Sequence, residues 1–151
     1  MSRKTRVKRR QTTNRRNSTE SNLVQWVTGG IHGIVPVDEQ PTTTMTRWGL
    51  YQVRDAEGNR SRHLVGRADD EGRVCSAIVQ FDLERLTATT QSGRVYQLRG
   101  LPGTDSDASY VFSRWLRSSG YGRVRFLTRA LIRLRQIRGM APVAPYKRNA
   151  T

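Results

Sequence analysis

Arginine is the residue type whose number and spacing carry the most chemistry in this chain of 151 residues. The segment RVRFLTRALIRLRQIR, residues 123–138, contains six arginines and no acidic residue. A guanidinium group donates paired hydrogen bonds to phosphate or carboxylate, so a dense arginine segment indicates an anionic partner. The alternatives to be distinguished are a nucleic acid, a membrane surface and an acidic protein.

The chain has a net charge of +15, and its positive charge is concentrated at the two ends. Residues 1–19 contain eight Lys or Arg and no acidic residue, and residues 108–151 contain ten and none. Residues 20–107 contain nine basic and all twelve acidic residues. Clustered cations raise the local potential that captures phosphates. We therefore expect DNA or RNA as the partner, with an acidic host protein or a nucleoprotein complex as the alternative, and a merely solvated surface as the third interpretation.

Residue types that serve catalysis or metal binding are sparse. Two histidines, His32 and His63, and the single Cys75 cannot supply a zinc site of the usual spacing. Cys75 lies in an apolar run and is expected to be a buried structural thiol, and His63 a half-exposed sheet residue. The acidic run 69–71 precedes Gly72, which predicts a hairpin turn rather than a metal site. We expect no catalytic residue, no metal ion and no cofactor, and predict that the protein is not an enzyme.

The middle of the chain has the pattern of an antiparallel sheet. From Trp48 to Arg99, short β-branched or aromatic runs stop at turns rich in Gly, Asp, Asn and Ser. This spacing predicts a β-meander of four or five strands, because it is too short for crossover helices. The clearest alternating face, expected to point inward, comprises Cys75, Ala77, Val79 and Phe81.

Three aromatic residues of these strands leave two interpretations open. Trp48, Tyr51 and Tyr96 have the side chains on which nucleic-acid bases stack. The same residue types fill protein cores. The run GRVYQLRG does not match the RNA-binding pattern of aromatic sheet platforms, so the sequence favours neither interpretation.

A first helix is predicted over residues 106–118, where the apolar period changes to that of a helix. The apolar stripe, which should seal one face of the sheet, comprises Ala108, Val111, Phe112, Trp115 and Leu116. Thr104 or Ser106 is predicted to cap the helix. Asp105 and Asp107 suit its positive end, and Gly120 or Gly122 is expected to end it.

A second, amphipathic helix is predicted over the whole of residues 123–138. Its apolar side would comprise Val124, Phe126, Leu127, Ala130, Leu131, Leu134 and Ile137, and its basic side Arg125, Arg129, Arg133 and Arg135, with Ile132 among them. Docking on the domain is favoured over membrane binding, because Phe126 is the only aromatic residue of the segment. The linking sequence SSGYG permits either a helix-turn-helix or a simple helix hairpin.

These elements predict an α+β fold: an antiparallel meander packed by two C-terminal helices. The predicted α+β domain covers residues 45–138, after a disordered basic arm (1–21) and a linker that packs a few side chains (22–44), and before a flexible tail (139–151). No apolar run approaches the length of about 20 residues that a membrane span needs, and we predict no membrane span. We expect a bacterial cytoplasmic location, with association with the nucleoid.

Residues 47–118 also resemble a known group of proteins. The run RHLVGRADDEGRVCSAIVQFD, followed by TTQSGRVYQLRGLPGTDSDASYVFSRWL, is similar to small proteins encoded on proteobacterial integrative and plasmid-like mobile elements. That group has no assigned activity, so the resemblance implies a bacterial mobile-element setting and no residue roles. It covers about half of the chain and excludes both basic ends.

The favoured hypothesis is a non-catalytic nucleic-acid-binding accessory protein. Phosphate contacts are predicted for Arg3, Lys4, Arg6, Lys8, Arg9, Arg10, Arg15, Arg16, Arg125, Arg129, Arg133 and Arg135. The alternative hypothesis is a protein-interaction or inhibitor module of a mobile element, of the anti-defence type, which docks on an acidic or nucleic-acid-binding host protein.

Overall fold

A long first strand organises the fold. The computed structural model describes residues 34–147. The elements, in chain order, are β1 (Thr42–Arg54), β2 (Arg60–Ala68), β3 (Glu71–Val74), β4 (Ile78–Asp82), β5 (Thr87–Thr90), β6 (Val95–Leu98), α1 (Ser106–Ser119), β7 (Arg123–Phe126) and α2 (Thr128–Ile137).

Within residues 34–147 the sheet is mixed and has seven strands. Its order is β3-β2-β1-β6-β5-β4, and β7 pairs with β1 outside that path. All pairs are antiparallel except β1 with β6, which is parallel. The predicted α+β class is confirmed. The predicted meander of four or five strands is wrong in strand number and in topology, because β1 pairs in parallel with β6 and because β7 lies in the segment for which the sequence predicts a helix.

A bulge divides β1 into two halves with different partners. The register against β2 shifts between Thr46 and Gly49, and Arg47 has a φ of 48°. Residues 42–45 pair with β6, whereas residues 51–54 pair with β7 on one edge and with β2 on the other. A bulge bends its strand and increases the local twist. Two small sheets therefore share one strand.

The turn between β2 and β3 is a two-residue hairpin, as the acidic run predicted. Asp69 and Asp70 both have positive φ, 50° and 60°, which is the requirement of a type I′ turn. The Asp69 carboxylate also forms a salt bridge of 3.0 Å with the buried guanidinium of Arg73.

The largest core lies within the curved sheet and is closed by α2. Its buried residues are Met45, Trp48, Leu50, Leu64, Cys75, Leu86, Ala88, Tyr96, Leu98 and Leu131. The expectation that residues 75, 77, 79 and 81 form one inward face is wrong. Only Cys75 is buried, and the side chain of Val79 is 64% exposed. The reason is that β3 ends before Cys75 and the β4–β5 register shifts between Ile78 and Gln80.

Helix α1 packs on the opposite face of β2 and β3 with the predicted stripe. Ala108, Phe112 and Trp115 are buried, and Gly120 ends the helix in the left-handed conformation. The cap is Asp105 rather than Thr104 or Ser106: its carboxylate accepts a hydrogen bond of 3.1 Å from the amide of Ala108. The helix approaches β3 so closely that a Cβ at Gly72 would lie 2.4 Å from its backbone.

The single long helix predicted over residues 123–138 is wrong. Residues 123–126 form β7, and α2 begins only at Thr128. The amide of Leu127 donates to the carbonyl of Leu50 over 2.8 Å, and the amide of Leu50 donates to the Thr128 hydroxyl over 2.9 Å. Because a strand separates the two helices, neither the helix-turn-helix nor the helix hairpin describes them.

The folded region extends beyond both ends of the predicted domain. Strand β1 begins at Thr42, inside the predicted linker, and the buried guanidinium of Arg94 donates to the carbonyls of Gln40 and Val35. On the C-terminal side, Val143 packs against the core. The predicted arm, and the linker as far as residue 33, lie outside the described residues, as do residues 148–151 of the predicted tail.

Candidate functional site

Five arginines and one glutamine form two rows across three neighbouring strands. Arg54 of β1 lies directly opposite Arg60 of β2 and Arg123 of β7. Two residues earlier in β1, Gln52 lies opposite Arg62 and Arg125. Opposed residues, and residues two apart on one strand, point to the same face of a sheet. We call this surface the arginine face: Gln52, Arg54, Arg60, Arg62, Arg123 and Arg125.

The other face of the same strands is partly covered by α1. The alternate residues Tyr51, Val53 and His63 point there, and His63 and Val53 are buried. The rings of His63 and Trp115 lie 4.6 Å apart, and those of Tyr51 and Phe112 lie 4.7 Å apart. These contacts fix the three strands in place, so the arginine face is presented on a supported sheet rather than on a loop.

The five arginines have no described partner for their charge. None of them takes part in a salt bridge or a side-chain hydrogen bond within residues 34–147. The carboxylate next along the chain, Asp55, is occupied in the β1–β2 turn. It accepts hydrogen bonds from the amides of Glu57 and Asn59 and from the side chain of Asn59, at 2.8 to 3.1 Å. Within residues 34–147, no carboxylate forms a salt bridge with the arginine face.

This arrangement disfavours folding and favours an anionic partner. Neighbouring strands lie about 4.8 Å apart, and same-face residues along a strand lie about 6.7 Å apart. Like charges directly opposite each other in a sheet destabilise it, by roughly 0.2–1 kcal/mol per pair. Arg54 has such a neighbour on both sides. Gln52, Val53 and the arginines of residues 54, 60, 123 and 125 also border a cleft of about 570 Å³.

The predicted phosphate-contacting residues are distributed over different surfaces. Arg125 lies on β7, in the arginine face, and not on a helix. Arg129 and Arg133 are exposed on α2, one turn apart, as predicted. The eight predicted contacts between Arg3 and Arg16 lie outside the described residues.

Arg135 is a correction to the predicted contact set. Its side chain was expected on the exposed basic side of the helix, yet only 6% of the residue is exposed. Its guanidinium donates to the carbonyl oxygens of Leu83, Glu84 (2.9 Å) and Ala141 (2.8 Å). Arg135 is therefore an internal tether between α2, the β4–β5 turn and the C-terminal segment. Ile132, expected on the basic side, is half-buried against the core.

The three strand aromatics are core residues and not a base-stacking surface. Trp48 is fully buried, and its Nε1 donates to the carbonyl of Gly100 over 3.1 Å. Tyr96 is buried as well. The ring of Tyr51 packs between those of Phe112 and Phe126, on the face opposite the arginines.

Cys75 and His63 are held in structural hydrogen bonds. Burial raises the pKa of the Cys75 thiol to about 12, so it is not a thiolate nucleophile near neutral pH. His63 is buried rather than half-exposed: its Nδ1 donates to the carbonyl of Cys75 over 2.9 Å. Its Nε2 then accepts from the Ser61 hydroxyl over 2.7 Å, which fixes the neutral tautomer. Within residues 34–147, no cluster of His, Cys, Asp or Glu side chains is arranged to hold a metal ion.

An apolar groove borders the arginine face on the side of α2. It has a volume of about 350 Å³ and is lined by Leu50, Ile78, Phe81, Leu83, Leu127, Ala130, Leu131 and Leu134, with Arg62 and Arg138 as its polar residues. Arg62 belongs to both surfaces. The predicted docking of α2 is confirmed only in part, because Leu131 is buried whereas Leu134 and Ile137 are 39% and 72% exposed.

Sequence reasoning missed four of the five arginines of the arginine face: Arg54, Arg60, Arg62 and Arg123. The pattern that indicates them is the alternation of arginine with other residues in RSRH and RVRF, which has the period of a strand. The pairing of Arg54 with both segments is a long-range contact that no local pattern specifies.

Comparison of the chain with protein-family models, with curated proteins and with solved structures gave no match. Neither α1 nor α2, the helices within residues 34–147, combines the length and the apolar character needed to span a membrane.

Proposed function

We propose that this protein is a non-catalytic nucleic-acid-binding accessory protein whose arginine face contacts the phosphate backbone. The observation that carries the proposal is the pair of cross-strand rows, in which five arginines without described acidic partners surround Gln52. Guanidinium groups pair bidentately with phosphate oxygens. A linear polyanion satisfies several such groups at once, whereas a single small anion satisfies one or two.

In the proposal, ten further basic residues contribute phosphate contacts of their own. Arg129 and Arg133 of α2 are exposed, and the eight basic residues between Arg3 and Arg16 add further cations. Contacts of this kind position the backbone and carry no base sequence information. We therefore propose weakly sequence-specific binding of DNA or RNA, by a bacterial cytoplasmic protein encoded on a mobile element.

The test is the salt dependence of binding to a short random-sequence duplex and to a single-stranded RNA. On duplex DNA, the logarithm of the binding constant should fall with the logarithm of salt concentration by about 0.9 per phosphate contact. Affinity that is independent of salt would contradict phosphate binding. A pull-down from host lysate with and without nuclease identifies the partners that are held through nucleic acid, because nuclease should release them and leave directly bound proteins in place.

Two charge-matched double variants test the location of the site. Arg60→Gln with Arg123→Gln removes the outer arginines of one row, whereas Arg85→Gln with Arg99→Gln removes two exposed arginines elsewhere that have no described partner. The first pair should lower the salt slope on duplex DNA by about 1.8, that of two phosphate contacts. The second pair should leave the slope nearly unchanged. Equal losses in both would mean that net charge, and not the arginine face, governs binding.

A further inference from the structure

We propose that the apolar groove between α2 and β4 is a second binding site, which takes an apolar side chain of an acidic peptide from a partner protein. This inference goes beyond nucleic-acid binding and does not depend on it. The groove is a depression bordered by strands on one side and by a helix on the other, and one residue, Arg62, connects it to the arginine face.

The chemistry of the lining selects the occupant. Eight of the ten lining residues are apolar: Leu50, Ile78, Phe81, Leu83, Leu127, Ala130, Leu131 and Leu134. A volume of about 350 Å³ lies at the lower limit of ligand pockets, which suits one or two inserted side chains. Such a surface favours an aliphatic or aromatic side chain, because its burial removes apolar area of both partners from water.

The two polar residues of the groove are both arginines and therefore favour an occupant with negative charge. Arg62 belongs to β2 and Arg138 follows the end of α2, so the two cations stand on different elements. Neither side chain has a salt bridge or a hydrogen bond within the described residues. A peptide that places an apolar residue between carboxylates satisfies both the lining and the two guanidinium groups.

The same lining disfavours a nucleic-acid base. A base presents hydrogen-bond donors as well as acceptors on its edges. A guanidinium group donates and cannot accept, and the other lining side chains have no polar atom. The donors of an inserted base would find no side-chain acceptor, and buried unpaired donors are costly.

Helix α2 provides a matched pair of variants. Leu134 and Ile137 are both exposed aliphatic residues of α2, but only Leu134 lines the groove. Leu134→Gln should therefore weaken peptide binding, whereas Ile137→Gln should not. Ala130 is exposed and also lines the groove, so Ala130→Trp should fill the groove without disturbing the core.

The experiment uses the full chain and two synthetic peptides of equal negative charge, one with leucines between glutamates and one with serines in their place. The leucine peptide should bind the wild-type protein about tenfold or more tightly than the serine peptide. Leu134→Gln and Ala130→Trp should abolish that difference, Ile137→Gln should preserve it, and duplex DNA binding should be unchanged in all three variants.

Three outcomes would overturn the inference while leaving the proposed function intact. Equal binding of the two peptides would show that charge alone attracts them. A loss of RNA or DNA binding in Leu134→Gln and Ala130→Trp, with no effect on the leucine peptide, would assign the groove to a base. Binding of anionic phospholipid vesicles that requires Leu134, again without an effect on the peptide, would assign it to an acyl chain.

Discussion

The two faces of strands β2, β1 and β7 differ in what contacts them, although both are built from alternate residues of the same backbone. On one face His63 and Val53 are buried, and the ring of His63 packs against that of Trp115 in α1. On the other, the arginines of residues 54, 60 and 123 stand in a row without a described ionic partner. Because the packed face holds the strands together, the opposite face is able to keep an arrangement of like charges that does not favour folding.

The arginines within residues 34–147 also fall into two groups: those bound to other groups of the protein and those without a described partner. Arg135 and Arg94 are buried and donate to backbone carbonyls. Arg73 is buried against Asp69. These three are structural cations, so a count of basic residues overestimates the contact surface.

The largest effect is expected from the packed face. Trp115 is buried and contacts the rings of His63, Phe112 and Tyr121. Trp115→Ala should lower the free energy of unfolding by about 3–5 kcal/mol, because it leaves a large cavity beneath α1. Tyr110→Ala is the control on the same helix, since Tyr110 is 61% exposed. Denaturant unfolding monitored by circular dichroism measures both. Similar small effects would show that α1 does not stabilise the sheet.

Arg135 should have the next largest effect on stability. Arg135→Met keeps the length of the side chain but removes the donors to the carbonyls of Leu83, Glu84 and Ala141. Unpaired buried acceptors should lower the free energy of unfolding by about 1–3 kcal/mol. Arg133→Met, two residues earlier and exposed, should leave stability nearly unchanged and weaken duplex DNA binding instead. If Arg135→Met weakened binding without affecting stability, its guanidinium would be a contact group and not a tether.

These results delimit what the sequence predicts. Helix α1 was predicted from its apolar stripe and Gly120, because a helix end and a helix face are encoded by residues close in sequence. The sequence predicts a helix over residues 123–126 because RVRF is continuous with an amphipathic pattern, and four residues are too few to distinguish a period of two from one of 3.6. The burial of Arg135 depends on carbonyls of residues 83 and 84, which the fold brings to it from a distant part of the chain.

The pH dependence of stability tests the packed face through His63. Burial lowers the pKa of His63, although its hydrogen bond to the carbonyl of Cys75 acts in the opposite direction. In the unfolded chain the His63 side chain binds a proton near pH 6.5. The folded form, in which His63 is neutral, is therefore favoured above that pH. The stabilisation is lost as the pH falls below 6.5 towards the folded-state pKa. Unfolding free energies at a pH of about 7.5 and about 5 should therefore differ more in the wild-type protein than in His63→Gln. An equal difference in the two proteins would mean that a group other than His63 causes the pH dependence.

Arg54→Gln should have the smallest effect on stability, and it should raise stability where the other substitutions lower it. Arg54 lies between Arg60 and Arg123 in the row, with like charge on both sides. Arg54→Gln should raise the free energy of unfolding by roughly 0.2–1 kcal/mol, because it removes that repulsion. The gain should shrink at high salt, which screens exposed charges. The same substitution should weaken duplex DNA binding and lower its salt slope by about 0.9.

Arg85→Gln is the control, since Arg85 is exposed outside the arginine face and should change neither property. The sign of the change in stability distinguishes an arginine of a contact surface from a structural arginine. Removal of a structural arginine lowers the stability of the fold, as expected for Arg135. Removal of an arginine that serves binding does not lower stability, because that arginine forms its favourable contacts only with the ligand. A loss of stability in Arg54→Gln at low salt would mean that the row is held together by the protein itself, and the arginine face would no longer be the candidate site.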